Sequence, residues 1–198
     1  MLDTLVVPHT APCAAAREVA RAYCSAALLG HCERSYLWAA ALGSAEGLAF
    51  DAELLYVAAL LHDLGLVPEF DSHTVDFAET GGHVAWVFAA GAGWPPERRR
   101  RLAEVIERHM ADAVDPARDV EGHLLERGTS VDVTGHGLEA LPAALTADVL
   151  ARHPRPGFPE EFLACFRAQA HRKPASSAAA AVRAGLADRA LSHPLDHP

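Results

Sequence analysis

No stretch of this 198-residue chain alternates apolar and polar side chains for the length of a β-strand. Apolar residues recur instead every three or four positions, and that period commits the chain to helices that bury one face against each other. Residues 13–29 (CAAAREVARAYCSAALL) place Val19, Tyr23, Ala26 and Ala27 on one stripe, with Gly30 as a stop. Further helices are expected over 31–42, over 52–63 with Asp51 as N-cap and Gly65 closing it, over 75–90, and from Pro95–Pro96 to about Met110. A short helix over 120–127 is followed by a turn at GTSVDVTGHG, then by helices over 139–152 and 158–171. Beyond Pro174 the chain is Ala/Ser-rich and reads as one loosely held helix with a frayed end, where His193 and His197 are solvated. The expectation is an all-α, single-domain helical bundle over 1–173, with an Ala-rich C-terminal helix and flexible tail over 174–198.

Composition removes several function classes. Apolar residues make up 51% and charged residues 22%, which is a globular balance rather than a disordered one. A net charge of −9 opposes non-specific binding to nucleic acid or an acidic membrane, so the expected partner is a small-molecule substrate, with a homo-oligomer allowed. The run Arg98–Arg101 is flanked by Glu97, Glu104 and Glu107 at helical spacings and reads as a solvated, ion-paired helix face. Cys13, Cys24, Cys32 and Cys165 form no CxxC pair and are expected as reduced, mostly packed thiols. No secretory signal and no apolar span of the ~20 residues a membrane helix needs are visible, so a cytoplasmic protein is expected.

One segment departs from ordinary core sequence. In LLYVAALLHDLGLV, residues 54–67, eight apolar residues run into adjacent His62 and Asp63. Two such groups are costly to bury without partners, so either the helix surfaces there or something inside needs both side chains. Other candidate groups recur at one-helix intervals: His31, His62–Asp63, His83, His109 and Asp132 are separated by 31, 21, 26 and 23 residues. In a bundle, that spacing lets successive helices each deliver a group to one central region. Imidazole nitrogen with carboxylate oxygen suits zinc, iron or manganese, and an ion would neutralise a buried carboxylate.

The order His31, His62–Asp63, Asp132 around LLHDLG resembles the HD-domain superfamily of metal-dependent phosphohydrolases and their relatives, over roughly residues 28–156. HCERSYLWAAAL, DAELLYVAALLHDLGL and FAETGGHVAWVF are closer to its cyanamide-hydratase-like branch. The resemblance implies an all-α HD-type bundle with a divalent metal, zinc first and iron or manganese as alternatives, held by His31, His62, Asp63 and Asp132. It implies a substrate-polarising or proton-handling role for His109 and catalysis at Asp63. Arg34, three residues after His31, would orient a polar or anionic substrate, or else serve only in an ion pair. Glu79, four residues before His83, would orient that imidazole or else lie exposed. The branch tends to have a small residue where this chain has His83. With His83, the order becomes that of two-metal HD proteins, in which His83 and His109 would hold a second ion. The expected function is water activation for hydration or hydrolysis of a small polar, nitrile-like substrate. A phosphohydrolase, a di-iron oxygenase and a non-catalytic metal-stabilised bundle are the alternatives.

Overall fold

The computed structural model describes residues 7–196, and helices are the only extended elements among them. They are α1 (Ala11–Tyr23), α2 (Ala26–Ala45), α3 (Ala52–Leu61), α4 (Phe77–Gly91) and α5 (Pro96–Arg108), then α6 (Val120–Thr134), α7 (Ala143–Arg152), α8 (Phe158–Arg172), α9 (Ser177–Arg183) and α10 (Leu186–Leu191). The all-α expectation holds. His197 lies outside the described residues.

Helix α3 is the axis of the molecule. Every residue from Leu54 to Leu61 is buried, as expected of a helix that is apolar all round, and α1, α2, α4, α5 and α6 pack on it. Asp51 caps it as expected, its side chain accepting from the Leu54 N–H at 3.0 Å. The α conformation ends at His62, and Asp63 takes φ −97°, ψ 7°, in the sparsely populated bridge region. Gly65 is not the closing residue; it lies inside the 3-10 turn Leu64–Leu66 that follows.

Two boundaries near the site differ from the sequence reading. The first helix breaks at Cys24–Ser25, where the Ser25 hydroxyl accepts from Leu28 N–H, so His31 falls in the second turn of α2. The turn expected at GTSVDVTGHG is helical as far as Thr134, with left-handed Gly135 as the actual stop. Gly128 inside it serves packing, because a Cβ there would sit 2.4 Å from the Ser35 carbonyl oxygen of α2. Asp132 therefore sits on the last turn of a helix.

The described part of the C-terminal segment is packed on the bundle. Ser177 donates from its N–H and its hydroxyl to Asp76 at 2.6 and 2.8 Å, and Ala178 and Ala190 are buried. His193, expected in solvent, is fully buried. Its Nε2 donates to the Val131 carbonyl at 2.9 Å, which also accepts the Gly135 N–H at the end of α6. Asp196 accepts from Arg155 Nε and Nη2, both at 2.9 Å.

The arginine run is ion-paired, although mostly with acids of other elements. Arg98 reaches Asp51 and Glu53 at the start of α3, and Arg101 reaches Asp119 and Glu121 at the start of α6. All four cysteines are free thiols, with Cys13 and Cys32 buried. Among the described residues, no helix is long and apolar enough to cross a membrane.

Candidate metal centre

The end of α3 delivers His62 and Asp63 to the molecule's centre, where α2 brings His31 against them. His31 Nε2 lies 3.2 Å from His62 Nε2 and 3.4 Å from Asp63 Oδ2, and His62 Nε2 lies 3.3 Å from the same oxygen. All three residues are 1% exposed. His109, at the end of α5, completes the cluster with Nε2 3.9 Å from Asp63 Oδ1.

The tautomers follow from the other ring nitrogens. His62 Nδ1 donates to the Ala59 carbonyl at 2.8 Å, and His109 Nδ1 donates to that of Ile106. His31 Nδ1 donates to Asp132 Oδ2 at 2.8 Å. Each neutral imidazole therefore turns an Nε2 lone pair toward Asp63. Asp63 Oδ2, buried, has no hydrogen-bond donor of its own. Lone pairs facing a carboxylate in a dry site repel unless a cation stands among them.

The donor set fits a divalent ion. His31, His62 and Asp63 form a buried group able to hold a metal. A triangle with sides near 3.3 Å has its centre about 1.9 Å from each corner, close to the roughly 2.0–2.2 Å of zinc–nitrogen and zinc–oxygen bonds.

The electrostatics describe the same crowding. Burial pushes the Asp63 carboxyl up, but the imidazoles of His62, His31 and His109 outweigh it and hold the group at about 2. Burial disfavours a charged His62, yet the adjacent Asp63 carboxylate raises its pKa above the ordinary value. His31 is lowered, mainly by burial, and His109 is lowered to about 4 by burial and by the neighbouring His62.

Asp132 stands behind His31 rather than beside it. Its Oδ1 accepts from Arg34 Nε at 2.7 Å and Trp38 Nε1 at 2.9 Å, with Arg155 Nη1 at 3.2 Å. Its Oδ2 accepts from Arg34 Nη2 at 2.9 Å as well as from His31. An oxygen bonded to His31 Nδ1 lies across the ring from Nε2, so it does not join the three donors at the centre. The expected fourth ligand is thus an orienting carboxylate in this structure. Burial raises the Asp132 carboxyl, but the Arg34 guanidinium and His31 hold it well below the usual carboxylate range.

Arg34 is not placed for substrate. Its guanidinium is fully buried, bidentate on Asp132, bonded to the Pro154 carbonyl at 2.9 Å and lying over the Phe158 ring. His83 and Glu79 are absent from the centre too. Their side chains are 64% and 56% exposed on the outer face of α4, 3.9 Å apart. His83 lies two positions, about 200°, around the helix from buried Gly81 and Ala85. Gly81 is what meets the centre, and a Cβ there would fall 2.5 Å from the His62 carbonyl oxygen. The six-residue order of two-metal proteins is not assembled.

Residues 28–128 match the HD domain family model, just over half of the chain. The chain belongs to the HD-domain family. No curated protein matches it. The matched span of this HD domain contains His31, His62, Asp63 and His109 and stops before Asp132.

Ser35, Trp38 and Phe158 carry no expectation from the sequence. Ser35 and Trp38 fall with His31 and Arg34 at i, i+3, i+4 and i+7 of α2, and that polar stripe is a readable sign that one buried acid faces it. Phe158, stacked on His31 with centroids 4.8 Å apart, carries no such sign. A cavity of about 290 Å³ opens from the centre, with Phe162 and Phe166 of α8 on one side, α6 on another and the alanines of α9 over it.

Proposed function

We propose that this HD domain is a metal-dependent enzyme that activates water for hydration or hydrolysis of a small polar substrate, with a nitrile-like carbon as the preferred electrophile. The observation that carries the reading is the convergence of the His31 and His62 Nε2 lone pairs on the donorless, buried Asp63 Oδ2, with His109 Nε2 facing Oδ1, at the inner end of a cavity. His31, His62 and Asp63 would hold the ion, and Asp132, fixed by Arg34, Trp38 and Arg155, would orient His31. A bound divalent ion supplies Lewis acidity and can lower the pKa of coordinated water from 15.7 to about 7.

His109 is the proton-handling residue in this scheme. Its Nδ1–H is fixed on the Ile106 carbonyl, so Nε2 is free to accept a proton from the attacking water. Returning that proton to the substrate nitrogen completes a hydration with no net proton change. Phe162 and Phe166 limit water around the reacting carbon.

The phosphohydrolase alternative needs cations for the non-bridging oxygens. Arg34 and Arg155 are both engaged on Asp132 and do not line the cavity, which weighs against it. A di-iron oxygenase would need His83 at the centre. The test is turnover of cyanamide and simple nitriles to the corresponding urea or amide by protein purified without chelators. Asp63→Asn is expected to abolish both turnover and metal binding with the helical circular dichroism intact. Turnover unchanged in that variant would overturn the reading.

A further inference from the structure

The wall that α6 gives to the cavity has a definite hydrogen-bonding character. Glu126, Thr129, Ser130 and Val133 follow one another at i, i+3, i+4 and i+7 and all line it, with Thr134 beside them. A hydroxyl has one proton to donate. Thr129 Oγ1 gives its proton to the Glu126 carbonyl at 2.9 Å, Ser130 Oγ to Glu126 Oε1 at 3.1 Å, and Thr134 Oγ1 to the Ser130 carbonyl at 2.9 Å. What these side chains have left for a ligand is lone pairs only, and Glu126 adds a carboxylate.

The remaining lining offers little to an anion. Asp63 and Asp112 add acceptors, and the imidazoles turn lone pairs to the centre. Among the described residues, Arg189 is the one Arg or Lys side chain on the lining. It is exposed on α10, with Nη1 on the Ala184 carbonyl at 3.1 Å. Nearby Arg127 pairs with Glu46 instead. Burial raises the Glu126 carboxyl above its ordinary value, the mark of a group that water solvates poorly and that a ligand donor would relieve.

We propose that Glu126 is the specificity-determining residue of this cavity, receiving the N–H donors of a small neutral or cationic nitrogen compound while Thr129 and Ser130 offer lone pairs beside it. The ligand class is amide-, urea- or amidine-like, and phosphate esters are excluded. The inference rests on the metal-centre reading for which end of the ligand reacts, but not for how the α6 wall binds it. At about 290 Å³ the cavity lies at the lower end of the range for small-molecule sites.

The test is binding of acetamidinium, N-methylurea and methyl phosphate, followed by NMR titration of metal-loaded and metal-free protein. Wild type, Glu126→Gln, Glu126→Ala and Arg189→Ala are compared after a circular dichroism check. Acetamidinium is expected to bind wild type and to lose roughly 10- to 100-fold in affinity in Glu126→Ala. Glu126→Gln, which keeps an acceptor but no charge, is expected to hold N-methylurea within a few-fold while losing acetamidinium. Absence of acetamidinium binding, its indifference to both Glu126 variants, or tighter methyl phosphate binding that Arg189→Ala abolishes would each overturn the inference. If the protein takes up no metal yet shows Glu126-dependent binding, the metal-centre reading fails alone. If nitrile turnover and metal binding stand while Glu126 variants bind as wild type, the inference fails alone.

Discussion

Asp132 has both oxygens saturated by donors from α2 and from Arg155 in the loop before α8, and nothing in its spacing says which side of His31 it would meet. Residue type and one-helix spacing brought His31, His62, Asp63 and His109 together, because a His-Asp pair ending a wholly buried helix has few other uses. Whether a carboxylate touches an imidazole at Nδ1 or shares the ion at Nε2 depends on side-chain placement within an ångström or two, which no spacing encodes. His83 has the right chemistry on the wrong face, and the small residues Gly81 and Ala85 already marked the inward phase of α4. For an orienting Asp132, Asp132→Asn is expected to weaken metal affinity roughly 10- to 100-fold, with full occupancy restored at saturating metal. Loss of the neutralising charge also leaves Arg34 and Arg155 buried beside an amide, costing about 3 kcal/mol in urea unfolding. Occupancy that cannot be restored at any metal concentration would instead make Asp132 a ligand.

At the scale of elements, the helices themselves were legible from period and caps, while two ends were not. GTSVDVTG reads as a turn on composition, yet Gly128 lets α2 and α6 approach closely, and the threonines bond back to α6 carbonyls. Tertiary packing overrode local preference there. The C-terminal segment misled for a similar reason: alanines look indifferent to their surroundings until they roof a cavity that larger side chains would fill. Its anchor is a chain of contacts from Asp196 through Arg155 to the Asp132 carbonyl and carboxylate. Asp196→Ala removes the outer half of that chain. It is expected to cost about 1–2 kcal/mol in urea unfolding and to weaken metal affinity several-fold through Arg155 and Asp132. A stability loss with metal affinity unchanged would confine Asp196 to anchoring the segment.

For the whole molecule, the surplus of acid that gives a net charge of −9 is partly ordered by arginines that join helix starts. Asp119 shows the consequence. Burial alone would push its carboxyl up, but Arg101, Arg108 and the Gly122 N–H outweigh that and lower it. A carboxyl lowered on folding stabilises above its unfolded pKa of about 3.9, and that contribution is lost as pH falls through the folded value. Asp119→Asn is therefore expected to be less stable than wild type by about 1–2 kcal/mol, a gap constant from pH 7 to 5 that closes below about pH 3.9. A gap that persists into stronger acid would show that the loss does not come from the carboxylate charge.

The proposed chemistry needs one ion held by three side chains. Elemental analysis of protein purified without chelators, with wild type, His83→Ala and Asp63→Asn run in parallel, tests this most directly. One divalent ion per chain in wild type and His83→Ala, and none in Asp63→Asn, is the predicted result. Two ions per chain falling to one in His83→Ala, or an ion retained by Asp63→Asn, would contradict it.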